Sequence, residues 1–173
     1  MTQQHVGRFE SLILSHLDDA YTLARYLLRD EHDAQDAVQD AALRAFRHFD
    51  QYRGGDARAW FLAIVRNCSF TWRRRHRIDR MAVPLDDYLT SAIDHAPPAD
   101  ALAISRSERA AVERAVAELP PEFREVIVLR EIEAMSYSQI ATVVGAPIGT
   151  VMSRLSRARR RLAITLGGAQ ETG

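Results

Sequence analysis

The chain has 173 residues, of which 47% are hydrophobic, 8% aromatic and 27% charged, and its 23 basic and 23 acidic residues cancel to a formal net charge of zero. That is material for one domain or two small lobes with modest apolar cores. No run of 18 apolar residues occurs, which argues against a membrane-spanning helix, and the first residues lack the basic-then-apolar pattern of a secretory signal. The single Cys68 has no internal disulfide partner, which fits a reducing, cytoplasmic setting. The neutral total hides a block pattern. Residues 1–50 carry five basic and nine acidic side chains, 51–80 eight and two, and 151–173 five and one. Every basic residue is Arg, the better group for bidentate contacts to phosphates and base edges.

In chain order, Phe9, Ile13, Leu17, Ala20, Ala24 and Leu27 recur at helical spacing, as do Ala34, Val38, Ala42, Ala45 and Phe49. No alternating strand pattern of useful length is present. Gly54-Gly55 separates a third helix that starts near Asp56. On it Phe61, Val65, Cys68 and Trp72 share one face, with Trp60 and Ile64 beside it. Arg66, Phe70, Arg73 and Arg77 share another, and Arg74, Arg75 and Arg80 extend the positive charge. Trp60, Phe61 and Trp72 read as core, and Cys68 as a buried, inert thiol. Arginines interleaved with Phe70 suit a backbone track with a stacking surface for unpaired bases.

Residues 81–103 contain Pro84, Pro97, Pro98 and four Asp and no arginine, the signature of a flexible acidic linker. Helix resumes at the capping-box pattern Ser105-Arg-Ser-Glu108 and continues through Val112, Val116 and Leu119. Pro120-Pro121 ends it and opens another, from about Glu122 to Ala134. The expected fold is all-α: a helical domain over residues 5–80, a linker over 81–103 and a second helical domain over 104–168.

The second domain carries the clearest motif. Ser136-Tyr-Ser-Gln139 is another capping box, starting a short helix through Val144. Gly145-Ala-Pro147 breaks it, with Gly145 suited to a left-handed turn position. A longer helix follows to about Ala163, with Val151, Leu155, Ala158 and Leu162 on its apolar face. Met152, Ser153, Ser156, Arg157 and Arg160 lie opposite, and Arg154, Arg159 and Arg161 flank them. A short helix, a tight turn and a basic second helix form a helix-turn-helix, whose second helix enters the major groove. Catalytic chemistry is not expected. The six His are scattered without an i, i+4 pair, and no phosphate-binding glycine loop or nucleophile elbow occurs, so no metal, cofactor or small-molecule substrate is assigned.

The run Pro147-Ile-Gly-Thr-Val-Met-Ser-Arg-Leu-Ser-Arg-Ala-Arg159 resembles the signature of the promoter −35-reading domain of sigma factors in the extracytoplasmic-function group. Leu119-Pro-Pro-Glu-Phe-Arg-Glu-Val-Ile-Val-Leu-Arg130 resembles that domain's second helix. The resemblance assigns −35 contacts to Met152, Ser153, Arg154, Ser156, Arg157 and Arg160. Met152 departs from the pattern, since a basic residue is common there. Asp33-Ala-Gln-Asp-Ala-Val-Gln-Asp-Ala-Ala-Leu-Arg-Ala-Phe46 resembles the polymerase-binding helix of the same family, which implies core-polymerase contacts from Asp33, Asp36, Gln39, Asp40 and Arg44. Gln35 and Asp40 stand where glutamates are usual, and Ala37 and Ala42 where larger apolar residues are.

Trp60-Phe-Leu-Ala-Ile-Val-Arg-Asn67 resembles the −10-reading helix and the loop after it. The resemblance implies that Asn67 lies at a pocket for a flipped base, with Arg66, Phe70, Arg73, Arg74 and Arg77 along the melted strand; an Asn amide offers both donor and acceptor to a base edge. It further implies three partners: core RNA polymerase, promoter DNA as duplex and melted strand, and an anti-sigma factor. The linker aspartates Asp86, Asp87, Asp94 and Asp100 would run toward the RNA exit path. The main rival class is a two-domain repressor or activator, which would bind duplex DNA on its own.

Overall fold

A computed structural model of the chain describes the backbone of residues 3–81 and 100–170, and the side chains of residues 3–79 and 105–168. Among the described residues all regular structure is helical. The α-helices are α1 (Gln3–Ile13), α2 (Leu17–Leu28), α3 (Glu31–Arg47), α4 (Ala57–Met81), α5 (Asp100–Glu118), α6 (Pro121–Ile127), α7 (Tyr137–Val144) and α8 (Ile148–Gln170).

The first apolar series is split in two: a 3₁₀ turn at Leu14–His16 separates α1 from α2, yet Phe9, Ile13, Ala20, Ala24 and Leu27 all reach the core. Asp30 caps α3, its carboxylate accepting from the Asp33 N–H at 2.9 Å. Gly54 and Gly55 take φ of 94° and 92°, a region glycine occupies without a Cβ clash. Asp56 then caps α4, accepting from the Ala59 N–H at 2.9 Å. α4 is a single helix of 25 residues, so Asn67 sits inside it and not at the entry to a loop. Phe61, Val65 and Cys68 are buried as expected, whereas Trp60 and Trp72 are only half-buried; Trp72 stacks on His76 with ring centroids 5.0 Å apart.

Most of the expected linker, residues 82–99, lies outside the described residues, as do Asp86, Asp87 and Asp94. α5 begins at Asp100, so residues 100–103 are helical and Ser105-Arg-Ser-Glu108 is not the cap that starts the helix. Ala101, Leu102 and Ala103 are good helix formers, and extending a formed helix costs far less than nucleating one. After α6 the chain widens into a π-turn over Val128–Ile132, with the Glu133 N–H bonding to the Val128 carbonyl at 3.0 Å, and Ala134 leaves it at φ 52°. This earlier end explains why the helix read to Ala134 is shorter.

The capping box at Ser136 forms in both directions: Gln139 N–H to Ser136 Oγ at 3.1 Å and Ser136 N–H to Gln139 Oε1 at 2.8 Å. Ser136→Ala is expected to lower stability by about 1 kcal/mol in chemical denaturation, the usual loss for an N-cap hydroxyl. Gly145 takes the left-handed position, φ 66°, and returns its N–H to the Ala141 carbonyl. Val151, Leu155 and Ala158 seat α8, which runs past Ala163 to Gln170.

The two lobes are packed against each other. One apolar cluster runs from Phe9 and Leu23 through Phe61 and Val65 to Val126, Ile140 and Leu155, with α4 lying on α7 and α2 on α6.

Candidate nucleic-acid interface

The helix-turn-helix places its second helix with one side in the core and the other open. Met152, Ser153, Ser156, Arg157 and Arg160 are all exposed, Met152 at 52%. No ion pair shorter than 4 Å is formed by Arg157 or Arg160 among the described residues, so their guanidiniums are available to an anionic partner. The flanking arginines are engaged: Arg159 donates to Glu131 at 2.6 and 3.1 Å, and Arg161 lies 5.0 Å over the Phe123 ring. Arg154 is half-buried and approaches Glu125 at 3.8 Å, which turns it from the open face toward the lobe seam.

On α4 the arginine-rich face divides. Arg74 and Arg77 are exposed, as is Asn67, whose carbonyl oxygen lies 3.4 Å from Arg66 Nη1. Arg73 is half-buried, and burial together with Arg77 and Arg29 pulls its pKa down, with Glu122 opposing. Arg66 is tied across the seam. Its Nε and Nη2 donate to the two oxygens of Glu125 at 2.6 and 3.1 Å, a bidentate pair in which the carboxylate is wholly buried. The same guanidinium lies 4.6 Å over the Phe70 ring, so the proposed stacking surface is covered by Arg66.

On α3, Asp36, Gln39 and Arg44 are exposed and Asp33 and Asp40 half-buried. Asp40 pairs with Arg44 at 3.1 Å, one turn on, and Asp33 faces His76 at 3.7 Å. The outer face also exposes Leu43 at 51%, an apolar residue one turn along α3 from Gln39 and Asp40. Ala34, Ala37, Val38, Ala41 and Ala45 are buried against the lobe. The small Ala37 and the half-buried Ala42 therefore lie toward the lobe interior, away from that outer face. Cys68 is buried behind α3, and burial pushes its thiol up to about 11, so it stays protonated and unreactive.

Sequence reasoning missed the groups that join the lobes. Arg58 donates through Nε to Asp19 at 2.7 Å, and through Nη2 to the Glu133 carboxylate at 2.7 Å and its backbone carbonyl at 2.9 Å. Gln139, the capping-box residue, also donates to Asp56 at 2.6 Å. Burial alone would raise the Asp56 pKa, but the bonds from Ala59 and Gln139 outweigh it and hold it below the ordinary value. Arg124 is 5% exposed and bonds only to carbonyls: Tyr26 of the other lobe at 3.2 Å, Ala117 at 2.7 Å and Leu119 at 2.8 Å. A signal was available, because Arg124 and Glu125 interrupt the apolar run Phe123–Leu129, and charges in such a run need partners.

The seam also predicts a pH dependence. Burial and the neighbouring Asp19 carboxyl raise the Glu133 pKa to about 7 against the pull of Arg58. The packed form thus binds this proton more tightly than the unpacked chain. Its contribution is full below about 4.5 and is lost as pH rises through about 7. Burial raises Glu125 as well, with the same sign. Thermal midpoints measured from pH 5 to 8 are expected to fall less steeply in Glu133→Gln than in the wild type.

The geometry has counterparts among known proteins. Residues 12–78 match the Sigma-70 region 2 family and residues 109–162 the Sigma-70, region 4 family. The chain is 36% identical over 161 residues to the ECF RNA polymerase sigma factor SigE of Mycolicibacterium smegmatis, covering 92% of this chain and 62% of that protein. It is 37% identical over 160 residues to SigM of Mycobacterium tuberculosis, covering 92% and 77%, and 32% identical over 137 residues to the sigma-E factor of Escherichia coli, covering 75% and 72%. Two solved structures share the fold at 27% identity. One is the sigma factor RpoE in complex with the anti-sigma factor NepR from Bartonella quintana, with a TM-score of 0.69 over 92% of this chain and 97% of that one. The other is CnrH in complex with the cytosolic domain of CnrY, with a TM-score of 0.63 over 92% and 88%. With both regions matched in order and relatives above 30% identity across most of their length, the chain belongs to the ECF RNA polymerase sigma factors.

Proposed function

We propose that this chain binds core RNA polymerase in the cytoplasm and directs promoter-specific initiation, residues 5–80 reading the −10 element and 104–168 the −35 element. The observation that carries the reading is the open face of α8, where Arg157 and Arg160 stand free beside small polar residues on the second helix of a helix-turn-helix. Arginines on such a helix read guanine edges or fix register on phosphates. The exposed amide of Asn67 suits an unpaired base, and Arg74 and Arg77 a strand backbone. Asp36, Gln39, Asp40 and Arg44, around the exposed Leu43, offer a polar rim about an apolar contact, the ordinary make-up of a docking patch. The relatives solved with NepR and CnrY support a partner of the same kind, an anti-sigma factor, for this chain.

The polymerase assignment is tested by association with core enzyme in native gels. Asp36→Arg together with Asp40→Arg is expected to weaken binding at least tenfold, since like charges placed in an interface cost several kcal/mol. Unchanged binding would move the docking patch off α3. Asn67→Ala is expected to leave that association intact and to reduce permanganate-detected promoter opening; normal opening would remove the base-reading role from this residue.

A further inference from the structure

One edge of the reading helix is apolar. α8 is seated by Val151, Leu155 and Ala158, so Met152 is not needed for packing, and it stands 52% exposed. Ile148, one turn earlier on the same edge, is 46% exposed and extends the apolar strip. Arg154, the one cation of the first two turns, is half-buried and turned toward Glu125. Gly149 and Ser153 are exposed but short, and the Ser153 hydroxyl donates to the Thr150 carbonyl at 3.0 Å. Met152 is therefore the longest exposed side chain at the end of α8 whose residues reach base edges in a helix-turn-helix.

The surroundings of that edge identify what covers it. α8 carries five arginines and no carboxylate. The complement of such a helix is a polyanion, and an apolar groove on another protein would leave the arginines unmatched. Five residues at about 100° each set Met152 and Arg157 about 140° apart around the helix. Between them run Gly149, Ser153, Ser156 and Arg160, all exposed. Nothing in the chain lies within 4 Å of where a Gly149 Cβ would stand, so the space over this strip is open. Short side chains there let the backbone settle into a major groove, with Met152 against one wall and Arg157 toward the other.

On a major-groove wall an apolar side chain has one specific counterpart. Only thymine presents a methyl group there. A thioether offers little to the hydrogen-bonding groups of the other bases, which would lose water against it unpaired. Its unbranched, polarizable chain adapts readily to a methyl surface. We propose that Met152 reads the 5-methyl group of a thymine in the −35 element, so that one position of the promoter is selected by apolar contact. The proposal rests on the sigma-factor reading and adds the base identity at that position.

The test measures run-off initiation by the full chain with core polymerase, on promoters differing at single −35 positions. The wild type is expected to favour thymine at one position, and Met152→Ala to lose that preference. Uracil in place of that thymine removes the methyl and leaves every hydrogen-bonding group unchanged. The replacement is expected to lower wild-type initiation about fourfold, the worth of one buried methyl group. Met152→Leu is expected to keep this penalty, and Arg157→Ala to keep it on whatever initiation remains, whereas Met152→Ala abolishes it. Uracil tolerated by the wild type at every −35 thymine overturns the proposal and leaves the sigma-factor reading intact. An equal penalty in the wild type and Met152→Ala does the same. Absence of initiation from every promoter by the wild type with core polymerase overturns the sigma-factor reading itself, and the base assignment with it.

Discussion

Arg157→Ala is expected to lower initiation from a −35-dependent promoter by roughly 5- to 150-fold, the effect of losing one bidentate base contact of about 1–3 kcal/mol. The residue is exposed, free of ion pairs among the described residues, and carried on a helix anchored by Val151, Leu155 and Ala158, so its removal disturbs no packing. Core association and thermal stability should remain at wild-type levels. The pattern of loss reveals the contact. A base-reading Arg157 loses discrimination at one position of the −35 element, whereas a phosphate contact weakens all promoters alike and reduces the salt slope by about one. Run-off assays on a set of single-base −35 variants separate the two. Full activity on every variant would remove Arg157 from the interface.

Leu155→Ala is expected to destabilise the chain by about 2–5 kcal/mol, the range for truncating a buried leucine whose site cannot collapse. Leu155 is 1% exposed and belongs to the cluster that includes Val126, Ile140 and Val144. Since α8 is seated by few large side chains, the loss loosens the whole reading helix and −35 use falls along with stability. Denaturant titration checks the first effect and the 37 °C activity the second. A change below about 1 kcal/mol would mean that α8 is held chiefly by other contacts, such as Arg159–Glu131.

Helices were legible wherever local chemistry decides them. The 3.6-residue spacing of Phe9, Ile13, Ala20 and Leu27 marks the buried stripe whether or not a 3₁₀ turn intervenes, and the Ser136 box and Gly145 fix the turn of the helix-turn-helix from four or five residues. The open face of α8 was legible for the same reason: a surface helix separates its apolar and polar sides in sequence. What periodicity does not carry is long-range pairing. Arg66 stands on a basic face, and nothing within several residues says that Glu125, 59 positions away, will occupy it. Nothing in the residues around Arg58 says that it will join Asp19 and Glu133, 39 and 75 positions away. The π-turn at Val128–Ile132 also went unread, because one extra residue in a turn leaves the apolar pattern of Phe123–Leu129 unchanged.

Run-off transcription with core RNA polymerase, on a library of upstream DNA from the same genome, tests the central claim most directly. Discrete transcripts that require the chain, share −10 and −35 sequences, and fade in both Asn67→Ala and Arg157→Ala are the predicted result. Transcripts indifferent to the chain, or tight sequence-specific duplex binding by the chain with polymerase absent, would contradict it.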